Sequence, residues 1–198
     1  MTIPERLAIA SRNPGKIREI LAICADWPVE WLTADGRWPE VEETGATYLE
    51  NALLKARAVS AALGIAAVAD DSGIEVDALG GAPGPRSARY AGDAATDDQN
   101  LRTLIAALSG VPASGRTARY RCVAVLVRPG EDEVLAEGIC EGLLVSKPRG
   151  TGGFGYDPIF VADATPGRTM AALADAEKDA ISHRGRAARG MLEWLGTR

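Results

Sequence analysis

Short apolar runs alternate with stretches of helical periodicity along this chain of 198 residues, and that alternation points to α/β architecture. Leu7 to Ala10 reads as the first strand. It runs into Ser11-Arg12-Asn13-Pro14-Gly15-Lys16, after which Ile17, Ile20, Leu21 and Cys24 recur at helical spacing. Asn13 before Pro14 is a helix start: a capping side chain, then a ring whose fixed φ suits the first helical position. Val29 to Leu32 is a second strand. A second helix begins at Thr47, with Glu50 as its capping-box partner. It carries Leu49, Leu53, Leu54 and Ala58 along one side and ends near Gly64. Ile65 to Ala69 is a buried strand that stops at Asp70-Asp71-Ser72-Gly73.

Beyond it, 79-LGGAPGPRSARYAG-92 reads as a long loop, and Asp97 and Asp98 open a third helix whose core face is Leu101, Leu104, Ile105 and Leu108. Tyr120 to Val127 and Val134 to Val145 are two longer strands with a hairpin-like connection at 128–131. Ile159 to Val161 is a short strand. A final helix follows Ser182 as cap, with Met191, Leu192 and Leu195 on its apolar side. No repeat or linker divides the chain, so residues 1–198 are expected to form a single domain.

Composition removes several classes of function. No run approaches the roughly 20 apolar residues that cross a bilayer, so no membrane partner is expected. A net charge of −5 argues against broad nucleic-acid binding. The three cysteines, Cys24, Cys122 and Cys140, are far apart among apolar residues. They read as small buried hydrophobes in a reducing compartment. The opening MTIPERLAIAS lacks the form of a secretory signal, and a cytoplasmic location is expected.

Three places gather chemistry. The first is the junction 11-SRNPGK-16. A helix N-terminus presents unpaired N–H groups and partial positive charge to a phosphate, and Lys16 reinforces both, with Ser11 and Asn13 adding neutral hydrogen bonds. The spacing is not that of the P-loop, and the same residues also read as a plain helix start with Lys16 in water. The second is Asp70-Asp71, at the carboxyl end of an apolar strand, where open α/β sheets bind ligands. Adjacent carboxylates repel unless a cation or a proton intervenes. One of them with an acid of 40-EVEE-43 suits Mg²⁺, which takes a few carboxylates and keeps waters and phosphate oxygens. A turn is the competing reading.

The third is 177-EKDAISHRGRAARG-190, which holds the only histidine, His183. Cations in a first helical turn oppose the helix dipole by about 0.3–1 kcal/mol each. Gathering Lys178, His183 and Arg184 there makes more sense with an anion or polar ligand bound, a basic surface cluster being the alternative. A Ser–His–Asp triad is disfavoured: Ser72 lies outside any G-x-S-x-G elbow, and Ser182 is better placed as a cap.

The stretch 149-RGTGGFGYDPIF-160 matches G-x-G-x-x-G by letter. A dinucleotide loop needs a strand before it and a helix after it. Lys147-Pro148-Arg149 precedes, and Pro158 keeps Asp157 out of helical geometry. A close-approach loop remains, with Phe154 or Tyr156 able to stack on a base or to join the core.

Together, 11-SRNPGK-16, 43-ETGATYLENALLKA-56, 69-ADDSGIEVDALGGAPG-84, 87-SARYAG-92, 152-GGFGYDPIF-160 and 177-EKDAISHRGRA-187 resemble the inosine triphosphate pyrophosphatase family, in order and across nearly the whole chain. The resemblance implies a single elongated, two-lobed α/β domain with a central mixed sheet flanked by helices, assembled as a homodimer. It implies Mg²⁺-dependent cleavage of non-standard purine nucleoside triphosphates (ITP, dITP, XTP) to monophosphate and pyrophosphate, which cleanses the nucleotide pool. Carried over by motif, Ser11, Arg12, Asn13, Pro14, Gly15 and Lys16 bind the triphosphate, with Lys55 reaching it from the second helix. Glu43 and Asp71 hold the metal, Asp71 accepts the proton of the attacking water, and Ser72 touches substrate. Phe154, Gly155, Tyr156 and Asp157, with Lys178, His183 and Arg184, form the nucleotide and base pocket.

A tight metal ligand is a weakened base, so Asp70 competes with Asp71 for one of those roles. A donor facing purine position 6, from Arg184 or a loop N–H, would favour the oxygen of inosine or xanthosine over the amino group of adenine. Pro85-Arg86 departs from the family, which often has an apolar residue and then an aromatic one there. Two other readings compete. A Maf-like pyrophosphatase for modified or pyrimidine triphosphates would lack the Ser-His-Arg segment and the Gly-Phe-Gly-Tyr-Asp loop. A module that binds nucleotide without cutting it has no need of Glu43 and Asp71 beside the lysines.

Overall fold

The first strand and helix form where the sequence places them in the computed structural model, which describes residues 3–34 and 38–196. β1 (Arg6–Ile9) is buried beyond Arg6. It leads into α1 (Pro14–Ile23), where Asn13 Oδ1 accepts the N–H groups of Gly15 and Lys16 at 2.9 and 3.1 Å. β2 (Glu30–Leu32) and β3 (Ala66–Val76) both pair parallel with β1.

β3 corrects the sequence reading. The strand does not stop at Ala69 but continues through Asp70-Asp71-Ser72-Gly73 to Val76. Turn propensity loses there because β3 is an interior strand, lying between β1 and β4 (Thr117–Val127). The two carboxylates are consequently held within a buried strand, and the turn alternative fails.

α2 (Tyr48–Leu63) opens on the expected Thr47/Glu50 capping box. Its leucine side is only in part its core side: Leu53 packs against the core but Leu49 and Leu54 are each 38% exposed, while Tyr48, Asn51, Ala52, Ala56, Val59 and Ser60 are buried. Ala52 and Ala56 pack with Ala8, Ala67 and Ala69 of the sheet. Small side chains on both surfaces let helix and strands approach closely, which leaves the bulkier leucines on the flanks.

α3 (Asp97–Ala107) has its acids in the first turn and buries Leu101 and Leu104, followed by Leu108. The stretch expected as a long loop contains a 3₁₀ segment, Gly84–Arg89, and a shorter one, Asp77–Leu79, leads into it. β5 (Val134–Leu144) pairs antiparallel with β6 (Phe160–Ala162), so the sheet is mixed, in the order β2-β1-β3-β4-β5-β6. The final helix begins after Ser182 as expected, as α5 (His183–Gly196), and a further short helix, α4 (Asp175–Ile181), precedes it. Between them Ser182 is fully buried in an extended conformation, the geometry of a residue preceding a helix. Met191 is buried, but Leu192 is 39% exposed, and the side chain of Leu195 lies outside the described residues.

The chain divides into two compact units: Met1–Asp71, Cys122–Gly138 and Arg184–Arg198 form the first, Ser72–Arg121 and Ile139–His183 the second. The first has one core cluster around Leu7, Ile9, Leu126 and Met191, and another around Ala52, Ala56 and Val125. The second is centred on Ile74, Leu104, Phe160 and Met170. All three cysteines are buried and none forms a disulfide among the described residues, and burial pushes the Cys24 thiol up to about 12. Among the described residues no helix is long and apolar enough to cross a membrane.

Candidate functional site

In the first unit, β1, β3, α1, α2 and α5 bring charged side chains together. Asp70 Oδ2 accepts from Arg184 Nη2 at 3.0 Å and Nε at 3.3 Å, and pairs with Lys16 Nζ at 3.2 Å. Arg184 Nη1 donates to Glu19. Lys55 Nζ donates to Glu43 Oε1 at 2.7 Å and to the Asp70 carbonyl at 2.8 Å. Asp71 Oδ1 lies 3.7 Å from Lys55 Nζ and 3.9 Å from Lys16 Nζ, and Asn51 Nδ2 donates to its Oδ2 at 3.2 Å.

The two aspartates do not titrate alike. Burial would raise Asp70, but the charges of Arg184, Lys16 and Lys55 outweigh it and hold the carboxyl well below the usual range. At Asp71 burial prevails over Lys55 and Lys16, with Glu43 adding to it, and the carboxyl sits above its ordinary value. Asp70 is thus a fixed anion, and Asp71 is the more basic of the pair. Burial alone would lower Lys55, yet Asp71, Glu43 and Asp70 more than restore its charge.

Among the described residues no three His, Cys, Asp or Glu side chains converge as a ready-made metal cage. A Mg²⁺ ion does not require one, since it binds through one or two carboxylates and completes its shell with waters and phosphate oxygens. The donors present suit such an ion. Glu43 and Asp71 are hard oxygen ligands flanking the same ammonium, and Asp70 Oδ1 is buried with no hydrogen-bond partner among the described residues.

In the second unit a different set gathers on Asp157. Its Oδ2 accepts from Lys178 Nζ at 2.5 Å and from the Phe154 N–H at 2.9 Å, and its Oδ1 accepts from Tyr120 Oη at 3.3 Å. Lys178 and Asp157 are 5% and 3% exposed, so neither charge is tolerable alone there. The Lys178 ammonium also lies 5.2 Å from the Phe154 ring centroid. Tyr120 stacks on His183 with ring centroids 4.6 Å apart and planes at 8°. The 153–157 loop is pinned throughout: Gly155 N–H donates to Asp97 at 3.0 Å and Tyr156 Oη to the Ser87 carbonyl at 2.8 Å. Gly153 has φ +69°, and a Cβ there would lie 2.0 Å from Asp157 Oδ2.

The expected residues therefore fall into two groups. Lys16, Glu43, Lys55, Asp71 and Arg184 meet in the first unit, whereas Phe154, Gly155, Tyr156, Asp157, Lys178 and His183 gather in the second. The Arg184 guanidinium is engaged by Asp70 and Glu19. At the start of α5 the Arg184 charge is met by Asp70 and Glu19, while Lys178 lies in the last turn of α4, where a cation suits the dipole; the surface-cluster alternative fails because all three side chains are buried. At the α1 terminus Lys16 is turned onto Asp70, not into water. Ser11 Oγ accepts from the Asn13 N–H at 3.2 Å, and Arg12 Nη2 donates to the Trp38 carbonyl at 2.8 Å. Pro14 opens α1, Gly15 is buried beside it, and Ser72 is half-buried on β3.

Four participants were not singled out from sequence: Glu19, Asn51, Tyr120 and Cys122, whose thiol lies 3.8 Å from Asp70 Oδ2. Only Asn51 left a trace, four residues before Lys55 on the same helical face.

A mixed α/β sheet with lysines and carboxylates gathered on buried aspartates of its interior strand defines the class of protein. The chain belongs to the Ham1 family, whose profile matches residues 7–194. A dITP/XTP pyrophosphatase of Methylococcus capsulatus is 50% identical over 186 residues, 92% of each chain. One from Symbiobacterium thermophilum is 51% identical over 191 residues, 96% of this chain and 95% of the other. The solved structure of a HAM1 protein from Coxiella burnetii matches at a TM-score of 0.87 and 37% identity, covering 100% of both chains.

Proposed function

We propose that this protein hydrolyses dITP, XTP and ITP to the monophosphate and pyrophosphate. The observation that carries this is the first-unit cluster, in which Lys16, Lys55 and Glu43 gather on the buried Asp70 and Asp71 of β3. Support comes from relatives named dITP/XTP pyrophosphatase that match over nearly their whole length. In the cluster, Lys16, Lys55 and Arg184 face Glu19, Glu43, Asp70 and Asp71, which leaves one negative charge. A polyphosphate would be repelled by that balance, and a divalent cation reverses it.

Glu43 and Asp71 would hold Mg²⁺, which when bound screens the phosphates and orients water. Lys16 and Lys55 bind phosphate oxygens. Asp71 takes a proton from the water whose oxygen attacks the α-phosphorus. The bond from that phosphorus to the α–β bridging oxygen breaks, and pyrophosphate leaves. Asp70 holds Lys16 in place, and Arg184 fixes Asp70. Phe154 supplies a face for the purine, with Lys178, His183 and Asp157 around it. We also propose a cytoplasmic location, where such triphosphates would be met, and a homodimeric state, to be checked by sedimentation.

Incubation with a panel of triphosphates and Mg²⁺, with identification of products, tests the proposal. Inosine or deoxyinosine monophosphate with pyrophosphate is expected. Orthophosphate release, or no turnover of any triphosphate, refutes it.

A further inference from the structure

α2 lays three side chains on the segment that precedes it. Glu50 Oε2 accepts the N–H groups of Ala46 and Thr47 at 2.7 and 3.0 Å, and Asn51 Oδ1 accepts that of Gly45 at 2.8 Å. One turn further on, Lys55 holds Glu43. Asn51 is fully buried, and the other end of its amide donates to Asp71 Oδ2 at 3.2 Å. The orientation of that amide follows from its neighbours. Turned over, it would set its oxygen against the Asp71 carboxylate and its NH₂ against the Gly45 N–H. Gly45 also comes too close to α2 for any side chain: a Cβ would lie 2.6 Å from Glu50 Cβ and 2.7 Å from Asn51 Oδ1.

We infer that Asn51 is a positioning residue that fixes the two carboxylates assigned to metal and water, Asp71 directly and Glu43 through the backbone at Gly45. This rests on the roles proposed above for Glu43 and Asp71. Those two residues lie 28 positions apart in sequence and on separate backbone segments. Without a rigid link their separation would vary with every movement of the 40–46 segment. A planar amide with one donor edge and one acceptor edge supplies that link, and full burial denies it water as a substitute partner. Residues that orient ligating carboxylates in this way are typically worth about 10- to 100-fold in metal affinity or activity.

The two bonds can be cut separately. Asn51→Asp keeps an acceptor for the Gly45 N–H and replaces the donor to Asp71 with a like charge, whereas Asn51→Leu removes both. Amide hydrogen exchange at Gly45 reads the first bond independently of any chemistry. Turnover of dITP across a Mg²⁺ titration reads the second. Asn51→Asp should leave Gly45 protected and lower kcat about 10- to 100-fold with a KM for dITP within a few-fold of wild type. Asn51→Leu should expose the Gly45 amide, lower kcat equally and raise the half-saturating Mg²⁺ concentration.

Wild-type kcat in Asn51→Asp, or unchanged Gly45 exchange in Asn51→Leu, overturns the inference. If Asn51→Leu does not fold, Asn51→Asp alone decides. If the wild-type protein cleaves no triphosphate, the roles of Glu43 and Asp71 fall. In that case the exchange at Gly45 still tells whether the clamp exists.

Discussion

Arg184→Met is the sharpest probe of how the charged cluster is held. Arg184 is 3% exposed and donates to Asp70 at 3.0 and 3.3 Å and to Glu19. Methionine keeps much of the side-chain volume but strands Asp70, itself 3% exposed. Removing one partner of a buried pair costs about 3–5 kcal/mol, mainly through the uncompensated charge left behind. Two features place the loss near the lower end. Lys16 remains 3.2 Å from Asp70, and the Glu19 side chain, 11% exposed, retains a path to water. About 3 kcal/mol in a domain of this size lowers Tm by about 6–12 °C. Urea unfolding followed by circular dichroism measures it. The double variant Arg184→Met with Asp70→Asn removes the stranded charge and should recover at least about 1 kcal/mol over the single variant. A single variant within about 1 kcal/mol of wild type, or a double variant no more stable than the single, would falsify the claim that Asp70 depends on Arg184.

Three further outcomes are expected. Gly153→Ala forces a Cβ into Asp157 Oδ2 at a positive φ; it should cost about 1–3 kcal/mol and raise the KM for dITP, and thermal melts matching wild type would show that the loop yields. Glu50 carries a carboxyl held below its ordinary 4.5, first by the Thr47 N–H and then by that of Ala46. Its contribution is therefore present above that value and lost as pH falls through the depressed one. The Tm gap between wild type and Glu50→Ala should accordingly shrink below pH 4.5; a gap that widens on acidification contradicts the cap. Asp71→Asn should bind dITP nearly as well as wild type while losing turnover, and equal loss of both points to an assembly role only.

How much of this was legible from sequence depended on whether the cause was local. The α1 and α2 starts are local, since Asn13-Pro14 and Thr47…Glu50 carry their own caps, and both formed as expected. The path of β3 is not local. Asp-Asp-Ser-Gly is good turn chemistry, and only the neighbours on both sides of an interior strand keep it extended. The short helix α4, which the sequence reading did not mark, is intermediate in kind. Glu177 reaches back to the Ala174 N–H at 3.0 Å, a local signal obscured by the more conspicuous Ser-His-Arg beside it.

The site divides along the same line. Lysines and acids reveal themselves by type and place, which marked Lys16, Asp71 and an acid of 40-EVEE-43, whereas Lys55 and the choice of Glu43 followed from the family resemblance. Their partners are residues of ordinary type made important only by position. Glu19 sits on the exposed-looking side of an amphipathic pattern until Arg184 folds against it from 165 residues away. Tyr120 belongs to an apolar strand, and its hydroxyl gains meaning only when Asp157, 37 residues on, arrives beneath it. A charge buried by the fold must be answered by a partner from elsewhere in the chain. The catalytic candidates could therefore be named from sequence, whereas the residues that set their protonation and orientation had to await the tertiary structure.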